Sequence, residues 1–262
     1  MAARSPGPGI NAKTPDPHYA RSVSMERVFE DKEQVRERVW AALEKAGAAR
    51  FPGASGRIPN FVGAERAAEA LARLPEWQEA RVIKANPDAP QLPVRARALA
   101  EGKIVYMAVP RLRAEKPFLL LDGSRLGASP RTAASIGGAA SEGRPVGIDE
   151  VERIDLVVCG TVAANRRGAR VGKGGGFSDL EFALLAEARR IDGETSIVTT
   201  VHPLQVLDED LPETDHDFRV DRIVTPEEVI RCRRVRRPRG ILWDHLSDEK
   251  VAEIPALEAL RG

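Results

Sequence analysis

Residues 168–188 read GARVGKGGGFSDLEFALLAEA, a cluster of glycines around one lysine followed by a stretch of helical period. Gly172, Gly174, Gly175 and Gly176 leave the backbone free to take positive φ and to approach a ligand closely, at an entropic cost that an ordinary surface loop need not bear. From Phe177 onward apolar residues recur at helical spacing, at Phe177, Leu180, Leu184, Ala188 and Ile191. The glycines therefore stand at a helix N-terminus, where unpaired amides and the positive end of the helix dipole suit an anion, above all phosphate. A solvated, flexible turn is the other reading of the same glycines.

Spacing excludes two familiar nucleotide motifs. A P-loop needs Gly-Lys followed by Ser or Thr, whereas Lys173 precedes the run of three glycines. The dinucleotide fingerprint needs a glycine where Phe177 stands, and the strand candidate IDLVVCG ends about ten residues before the turn it would have to feed.

Working outward, helix-like and strand-like stretches alternate. AERAAEALARL is followed by ARVIKA, and VRARALAEG by KIVYMAV; FLLLD, IDLVVCG, the helix after the glycines, SIVTTV and VDRIVT complete the series. Such alternation predicts an α/β protein with a mostly parallel sheet. Upstream, MERVFEDKEQVRERVWAALEKAG carries Val28, Val35, Val39, Trp40 and Leu43 on one face, stops at Gly47 and exposes Lys32 and Arg36. Thr225-Pro226-Glu227-Glu228 has the form of a capped helix start, with threonine at the N-cap and proline at N1. Residues 1–24, rich in Pro, Gly and Ser without apolar period, read as a disordered extension, with Met25 as an alternative start. Residues 25–262 then form a single domain ending in a basic segment.

At 262 residues the chain can bury a substantial core, and its net charge of +1 gives no whole-protein field that favours nucleic acid or membrane. No apolar run approaches the ~20 residues of a membrane-spanning helix, and the start lacks a signal peptide's hydrophobic segment. Cys159 and Cys232 offer neither a disulfide framework nor paired metal-ligand spacing, so a reducing cytoplasm is the expected compartment. The arginines at 231, 233, 234, 236, 237 and 239 invite a nucleic-acid reading, but no aromatic residues interleave them. A solvated or anion-facing edge is the better account of that run.

The glycine loop, joined to LPETDHDFRVDRIVT downstream, resembles the 5-formyltetrahydrofolate cyclo-ligase family, the methenyltetrahydrofolate synthetases. The likeness runs through KEQVR, IPNFVGAERAAEALARL, LPVRARALAEGKIVYMAVPRLR, EGRPVGIDEVERIDLVVCGTVA and RPRGILWDHLS, from about residue 25 to about 255, and points to the divergent branch of domain-containing relatives. The resemblance implies a three-layer αβα fold related to the ribose-phosphate isomerase and CoA-transferase group, with ATP and Mg2+ in a cleft beside the folate. The implied reaction is attack of the formamide oxygen of 5-formyltetrahydrofolate on the γ-phosphate of ATP. N10 then closes the ring and phosphate leaves, giving 5,10-methenyltetrahydrofolate. Placement and charge neutralisation supply most of such catalysis.

The resemblance assigns residues as well. Lys32 and Arg36, one helical turn apart on a single face, would contact the ATP phosphates. Arg170, Gly172, Lys173, Gly174, Gly175 and Gly176 would cradle them, with Lys32, Arg170 and Lys173 as catalytic cations and Phe177, Ser178 and Asp179 completing the nucleotide site. Asp179 and Asp221 would ligate magnesium, which is satisfied by one or two carboxylates with waters and phosphate oxygens. Taken alone, Asp179 is equally a helix-start acid and Asp221 a loop residue beside a strand. His216 and Asp217 match a His-Asp pair of the family and equally suit a surface turn; His202, ending a strand, reads first as a hydrogen-bonded structural histidine.

Two departures fall on the substrate side. Phe177-Ser178 stands where the family carries two tyrosines, so one ring remains to face a flat substrate, a role it shares with packing on the helix's apolar stripe. NPDAPQLPVR replaces the acidic pterin-recognising stretch and leaves Asp88 as its one acid. Three functions follow: the folate cyclo-ligase, a related enzyme activating an amide oxygen on another heterocycle, and a non-catalytic nucleotide- or RNA-binding relative. Retention of the glycine loop, Lys32 and Arg36 and both aspartates argues against the last.

Overall fold

The computed structural model describes Met1, Phe29, residues 31–233 and residues 237–261. The extension expected at 2–24, Met25, Val28, Arg234 and Arg236 lie outside these described residues. The strands are β1 (Val82–Ala85), β2 (Ile104–Ala108), β3 (Phe118–Asp122), β4 (Arg144–Val146), β5 (Leu156–Cys159), β6 (Ala163–Asn165), β7 (Arg170–Val171), β8 (Ser196–Thr200), β9 (Val206–Leu207), β10 (Arg222–Val224) and β11 (Val229–Arg231). The helices are α1 (Lys32–Lys45), α2 (Ala64–Ala72), α3 (Pro75–Glu79), α4 (Leu92–Ala100), α5 (Pro130–Ala133), α6 (Ile136–Glu142), α7 (Phe177–Glu187), α8 (Asp248–Ala252) and α9 (Pro255–Arg261).

Strand residues alternate between two cores. In β2, Val105 and Met107 face one cluster with Leu71, Trp77 and Leu99, while Tyr106 and Ala108 face another with Leu184, Leu185 and Leu257. A strand buried on both faces needs helices on both, and this sets the three layers: α2 and α4 on one side, α7, α8 and α9 on the other. The main sheet has eight strands in the order β11-β10-β8-β5-β1-β2-β3-β4. Strands β10, β8, β5, β1 and β2 run parallel; β11 pairs antiparallel with β10 at one edge, and at the other β3 pairs antiparallel with β2 and β4 antiparallel with β3. The expected three-layer α/β fold with a mostly parallel sheet is the one observed.

The chain winds from β1 outward to β2 in one direction and through β5 and β8 in the other, so the strand order reverses between β1 and β5. In open α/β sheets ligands bind at such a switch point, beyond the carboxyl ends of the strands. Asn86 follows β1 there and Gly160 follows β5, and the Gly160 amide donates to Asn86 Oδ1 at 3.0 Å.

A three-stranded sheet, β7-β6-β9, stands beside the main one and carries a core of its own with α1. Val35, Val39 and Leu43 are buried in it, each contributing about 1.5–3 kcal/mol by leaving water. This small sheet explains the gap between IDLVVCG and the glycines: β5 is followed by the β6–β7 hairpin, and β7 feeds the loop.

One expectation is corrected. Thr225–Glu228 is the turn of a hairpin between β10 and β11, not a helix start. The capping bonds exist, since Thr225 Oγ1 accepts the amides of Glu227 and Glu228 at 3.1 and 2.9 Å. The next residues, Val229 and Ile230, are β-branched and pair with Val224 and Ile223 instead of propagating a helix.

Candidate functional site

The glycine loop runs from β7 into α7 as expected, with Gly174 at φ 107° and Gly176, the N-cap of α7, at φ 67°. No side chain caps the helix, so its first amides are left for an anion. A Cβ on Gly175 would lie 2.9 Å from the Phe177 ring. The loop is the exposed rim of the site, and backbone is its working surface.

Helix α1 lies against the small sheet and starts on Asp31, whose carboxylate accepts the Glu33 and Gln34 amides at 2.8 and 2.9 Å. That start aims one face of α1 at the loop. Arg36 Nε donates to Gly172 O at 2.8 Å, and Lys32 pairs with Asp217 at 2.7 and 2.5 Å. Asp217 also accepts the Thr214 amide at 2.6 Å. Burial would push its pKa up, but the Lys32 and Thr214 hydrogen bonds outweigh it and hold the carboxyl below its ordinary range. Arg170, almost fully buried, bonds Asp179 Oδ1 at 2.5 Å, with its guanidinium carbon 4.0 Å above the Phe218 ring centre. Burial works against this cation, yet Asp179, with Cys159 and Asp217, raises its pKa. Lys173 reaches across to Asp88 Oδ1 at 2.9 Å.

Of these residues Asp88, Gly172, Lys173 and Asp179 line a cavity of about 510 Å³ at the switch point, together with Asn86, Gly160, Gly175, Gly176, Phe177, Ser178 and Glu181 among others. Lys32, Arg36, Arg170, the glycine loop, Asp179 and Asp88 are thus brought to one region. Phe177 serves both readings: it lines the cavity, and it packs on the core with Lys250 Nζ 3.8 Å from its ring centre. Ser178 turns its hydroxyl to Asn86 Oδ1 at 3.4 Å.

Asp221 is not brought to this region. It precedes β10, level with Ile197 at the start of β8, whereas Ser178, the neighbour of Asp179 on α7, bonds Asn86 beyond the carboxyl end of β1. Its Oδ2 accepts the Ile197 amide at 2.8 Å and pairs with Arg237. The two aspartates expected to ligate magnesium thus engage different partners, Asp179 with Arg170 and Asp221 with Arg237 and the Ile197 amide. Among the described residues no three His, Cys, Asp or Glu side chains are grouped to hold a metal ion. Within the arginine run Arg231, Arg233 and Arg239 are exposed, whereas Arg237 turns inward and also donates to Thr195 O at 2.8 Å.

The histidines lie apart from the cavity wall. His202 caps the turn Pro203–Gln205, its Nδ1 accepting the Leu204 amide at 3.1 Å, and burial lowers its pKa. His216 faces His245, Nδ1 to Nδ1 at 3.2 Å, and bonds Thr214 Oγ1 at 3.0 Å. Cys159 and Cys232 are buried free thiols, and burial, with Asp221 adding to it, pushes Cys232 up to about 11.

Four contributors escaped the sequence reading. Lys84 of β1 and Glu181 of α7 form a buried ion pair, and Asn86 Nδ2 adds a bond to Glu181 Oε2 at 2.8 Å. Arg95 of α4, 1% exposed, donates to the carbonyls of Asn86, Pro87, Asp88 and Ala134 and so fixes the loop after β1. Burial, opposed by Asp88, lowers its pKa to about 10. The overlooked signal was charge on an apolar pattern. Lys84 sits inside a buried strand, Glu181 between Phe177 and Leu184 on the helical stripe, and Arg95 one turn before Ala98 and Leu99.

Comparison with known proteins shows the family and supports the fold. The model of the 5-formyltetrahydrofolate cyclo-ligase family matches residues 28–226. The methenyltetrahydrofolate synthase domain-containing protein of Bos taurus is 40% identical over 248 residues, covering 88% of this chain and 62% of the relative. Its Homo sapiens counterpart is 37% identical, with 88% and 61% covered. The chain thus spans a little over three-fifths of the length of these relatives. The NMR structure of Aquifex aeolicus 5,10-methenyltetrahydrofolate synthetase superimposes with a TM-score of 0.50 at 23% identity, over 78% of this chain and 94% of that one, and supports the fold. With its glycine loop, α1 cations and sheet order in place, the chain belongs to the 5-formyltetrahydrofolate cyclo-ligase family.

Proposed function

We propose that the chain is an ATP- and Mg2+-dependent cyclo-ligase that converts 5-formyltetrahydrofolate to 5,10-methenyltetrahydrofolate. One observation carries the reading: Arg36, Lys173 and the uncapped amides of α7 meet around a glycine loop that opens onto a cavity at the sheet's switch point. A polyphosphate fits that rim, since its charge meets a guanidinium, an ammonium and a helix N-terminus within one loop. The heterocyclic half of the substrate would occupy the cavity, with its formyl oxygen turned to the γ-phosphate. The residues then act by placement and charge neutralisation, because the formyl oxygen is itself the nucleophile and N10 closes the ring as phosphate leaves.

Arg170 and Asp179 hold each other in position beneath the loop. Asp179, with one oxygen on Arg170, is the carboxylate that fits a magnesium ion completed by waters and phosphate oxygens. When bound, that ion would neutralise phosphate charge. Asp221, locked to Arg237, is left out of the set. The proposal places the reaction in a reducing cytoplasm, where both buried thiols stay free; among the described residues no helix is long and apolar enough to cross a membrane.

A second reading rests on the substrate side. Ser178 is spent on Asn86, and the cavity carries a Lys84–Glu181 pair within its wall, which favours the same phosphoryl activation applied to another amide-bearing heterocycle. ATP turnover measured with and without 5-formyltetrahydrofolate, while following the methenyl chromophore, separates the two. Folate-dependent turnover with the chromophore supports the cyclo-ligase. ATP binding without either, in folded protein, favours the second reading.

A further inference from the structure

Beside the glycine loop lies a second, smaller cavity of about 200 Å³, lined by Gly175, Gly176, Asp179, His216, His245 and Lys250 among others. Two imidazoles from distant segments meet in its wall. His216 Nδ1 lies 3.2 Å from His245 Nδ1, with the ring planes at 83°.

A chain of hydrogen bonds fixes the tautomer of His216. Lys32 pairs with Asp217 and keeps that carboxylate an acceptor. Thr214 Oγ1 donates its single proton to Asp217 Oδ2 at 2.9 Å, so at 3.0 Å it must accept from His216 Nε2. With the proton of a neutral imidazole on Nε2, Nδ1 is a bare lone pair aimed at the second ring. In the present contact His245 meets it with an N–H. Being exposed, His245 can carry that proton on Nε2 instead, and two Nδ1 lone pairs then converge.

Metal-ligating histidines are held in this way, with the far nitrogen donating to an anchored oxygen. The spacing agrees, since two bonds of about 2.0–2.1 Å at a tetrahedral ion hold their nitrogens about 3.3 Å apart. Lys250, the cation on the same cavity, is engaged with the Phe177 ring, its Nζ 3.8 Å from the ring centre.

We propose that His216 and His245 form a two-histidine site for a divalent cation of the imidazole-preferring class, with Zn2+ as its type, and that Thr214 and Asp217 position His216 for it. The remaining positions of the ion open onto the cavity and take water or an anionic oxygen. Nitrogen ligands separate this site from the oxygen-ligated magnesium proposed at Asp179.

The test is calorimetric titration of the full chain with Zn2+ in the absence of nucleotide, so that its outcome is independent of the reaction proposed above. The parent should take up one Zn2+ that excess Mg2+ does not displace. His216→Ala and His245→Ala should each weaken that uptake by ~10-fold or more. Thr214→Val, which keeps the side chain's shape and removes the anchor of Nε2, should weaken it on the same scale. Circular dichroism establishes that each variant is folded. A parent without saturable Zn2+ uptake overturns the site, as does uptake that Mg2+ displaces or that persists unchanged in the histidine variants. Parent affinity in folded Thr214→Val overturns the positioning of His216.

Discussion

The two halves of the cavity are built differently. Its phosphate rim is exposed backbone and long cations drawn from α1 and one short loop, while its inner wall is made of buried, mutually paired side chains from β1, α4 and α7. The rim tolerates solvent because amides and guanidinium groups bind anions through water-exposed geometry. The inner wall must satisfy every charge it buries, which is why Lys84, Glu181, Asn86 and Arg95 come as a connected set. Recognition of a phosphate can thus persist with few side chains, whereas the substrate end is free to change only as a group.

A break of the rim should have the largest effect. Gly175→Val places a branched side chain against the Phe177 ring, where even a Cβ would be at 2.9 Å, and disturbs the loop at the start of α7. ATP binding by calorimetry should fall ~100-fold or more, the scale of a lost preorganised phosphate site. The melting temperature should change little, because the loop is exposed. Unchanged ATP affinity would remove the loop from the site.

The two aspartates sharpen the contrast between site and scaffold. Asp179→Ala should lower magnesium-dependent turnover, again by ~100-fold if stabilisation of the transferred phosphoryl group is lost. Asp221→Ala should cost about 3–5 kcal/mol of stability, since it leaves Arg237 without its buried partner, a cost that Asp179→Ala shares through Arg170, but it should spare turnover. The residual turnover of Asp221→Ala at low temperature should keep the parent's magnesium dependence. A shift in that dependence for Asp221→Ala, with none for Asp179→Ala, would reverse the assignment.

The legible part of this molecule is the local part. Alternating apolar runs revealed β1, β2, β3, β5, β8 and β10 but not the short β4, β6, β7, β9 and β11, since a strand of two or three residues is too short to show a period. Glycines beside a helical period disclosed the exposed loop that opens α7, likewise a local signal. The pairing of Lys84 with Glu181 spans 97 positions and that of Lys32 with Asp217 spans 185, and neither has a local signature. The partners of Asp221, Arg237 and the Ile197 amide, were not legible because a motif gives order along the chain and not the end of the strand on which a residue falls. Thr225–Glu228 shows the limit within a single turn, where one capping pattern serves a helix and a hairpin equally.

Arg95 tests whether the inner wall behaves as a unit. Arg95→Leu removes the donors to the carbonyls of Asn86, Pro87, Asp88 and Ala134 and should cost about 3 kcal/mol, the range for buried polar groups left unpaired. With the loop loosened, Asn86 and Asp88 lose their fixed positions, so KM for the formylated substrate should rise while KM for ATP stays close to the parent's. Equal effects on both would mean that rim and wall are not separable.

The smallest effect concerns acid pH and the joint between the halves, Lys32 with Asp217. The Asp217 carboxyl is held below its ordinary range by Lys32 and the Thr214 amide despite burial, so it binds its proton less readily in the folded chain than in the unfolded one. Its contribution is then present in full above the unfolded pKa, about 4, and is lost as pH falls through the lower folded value. Lys32 is partly exposed, at 23%, which limits the pair to about 1 kcal/mol. Asp217→Asn should accordingly lower stability by that amount at neutral pH and make the decline below about pH 4 shallower. Denaturant melts of parent and variant across that range check it. Parallel curves for the two proteins would show that the carboxylate's protonation is not coupled to folding, and would leave Lys32 oriented by α1 alone.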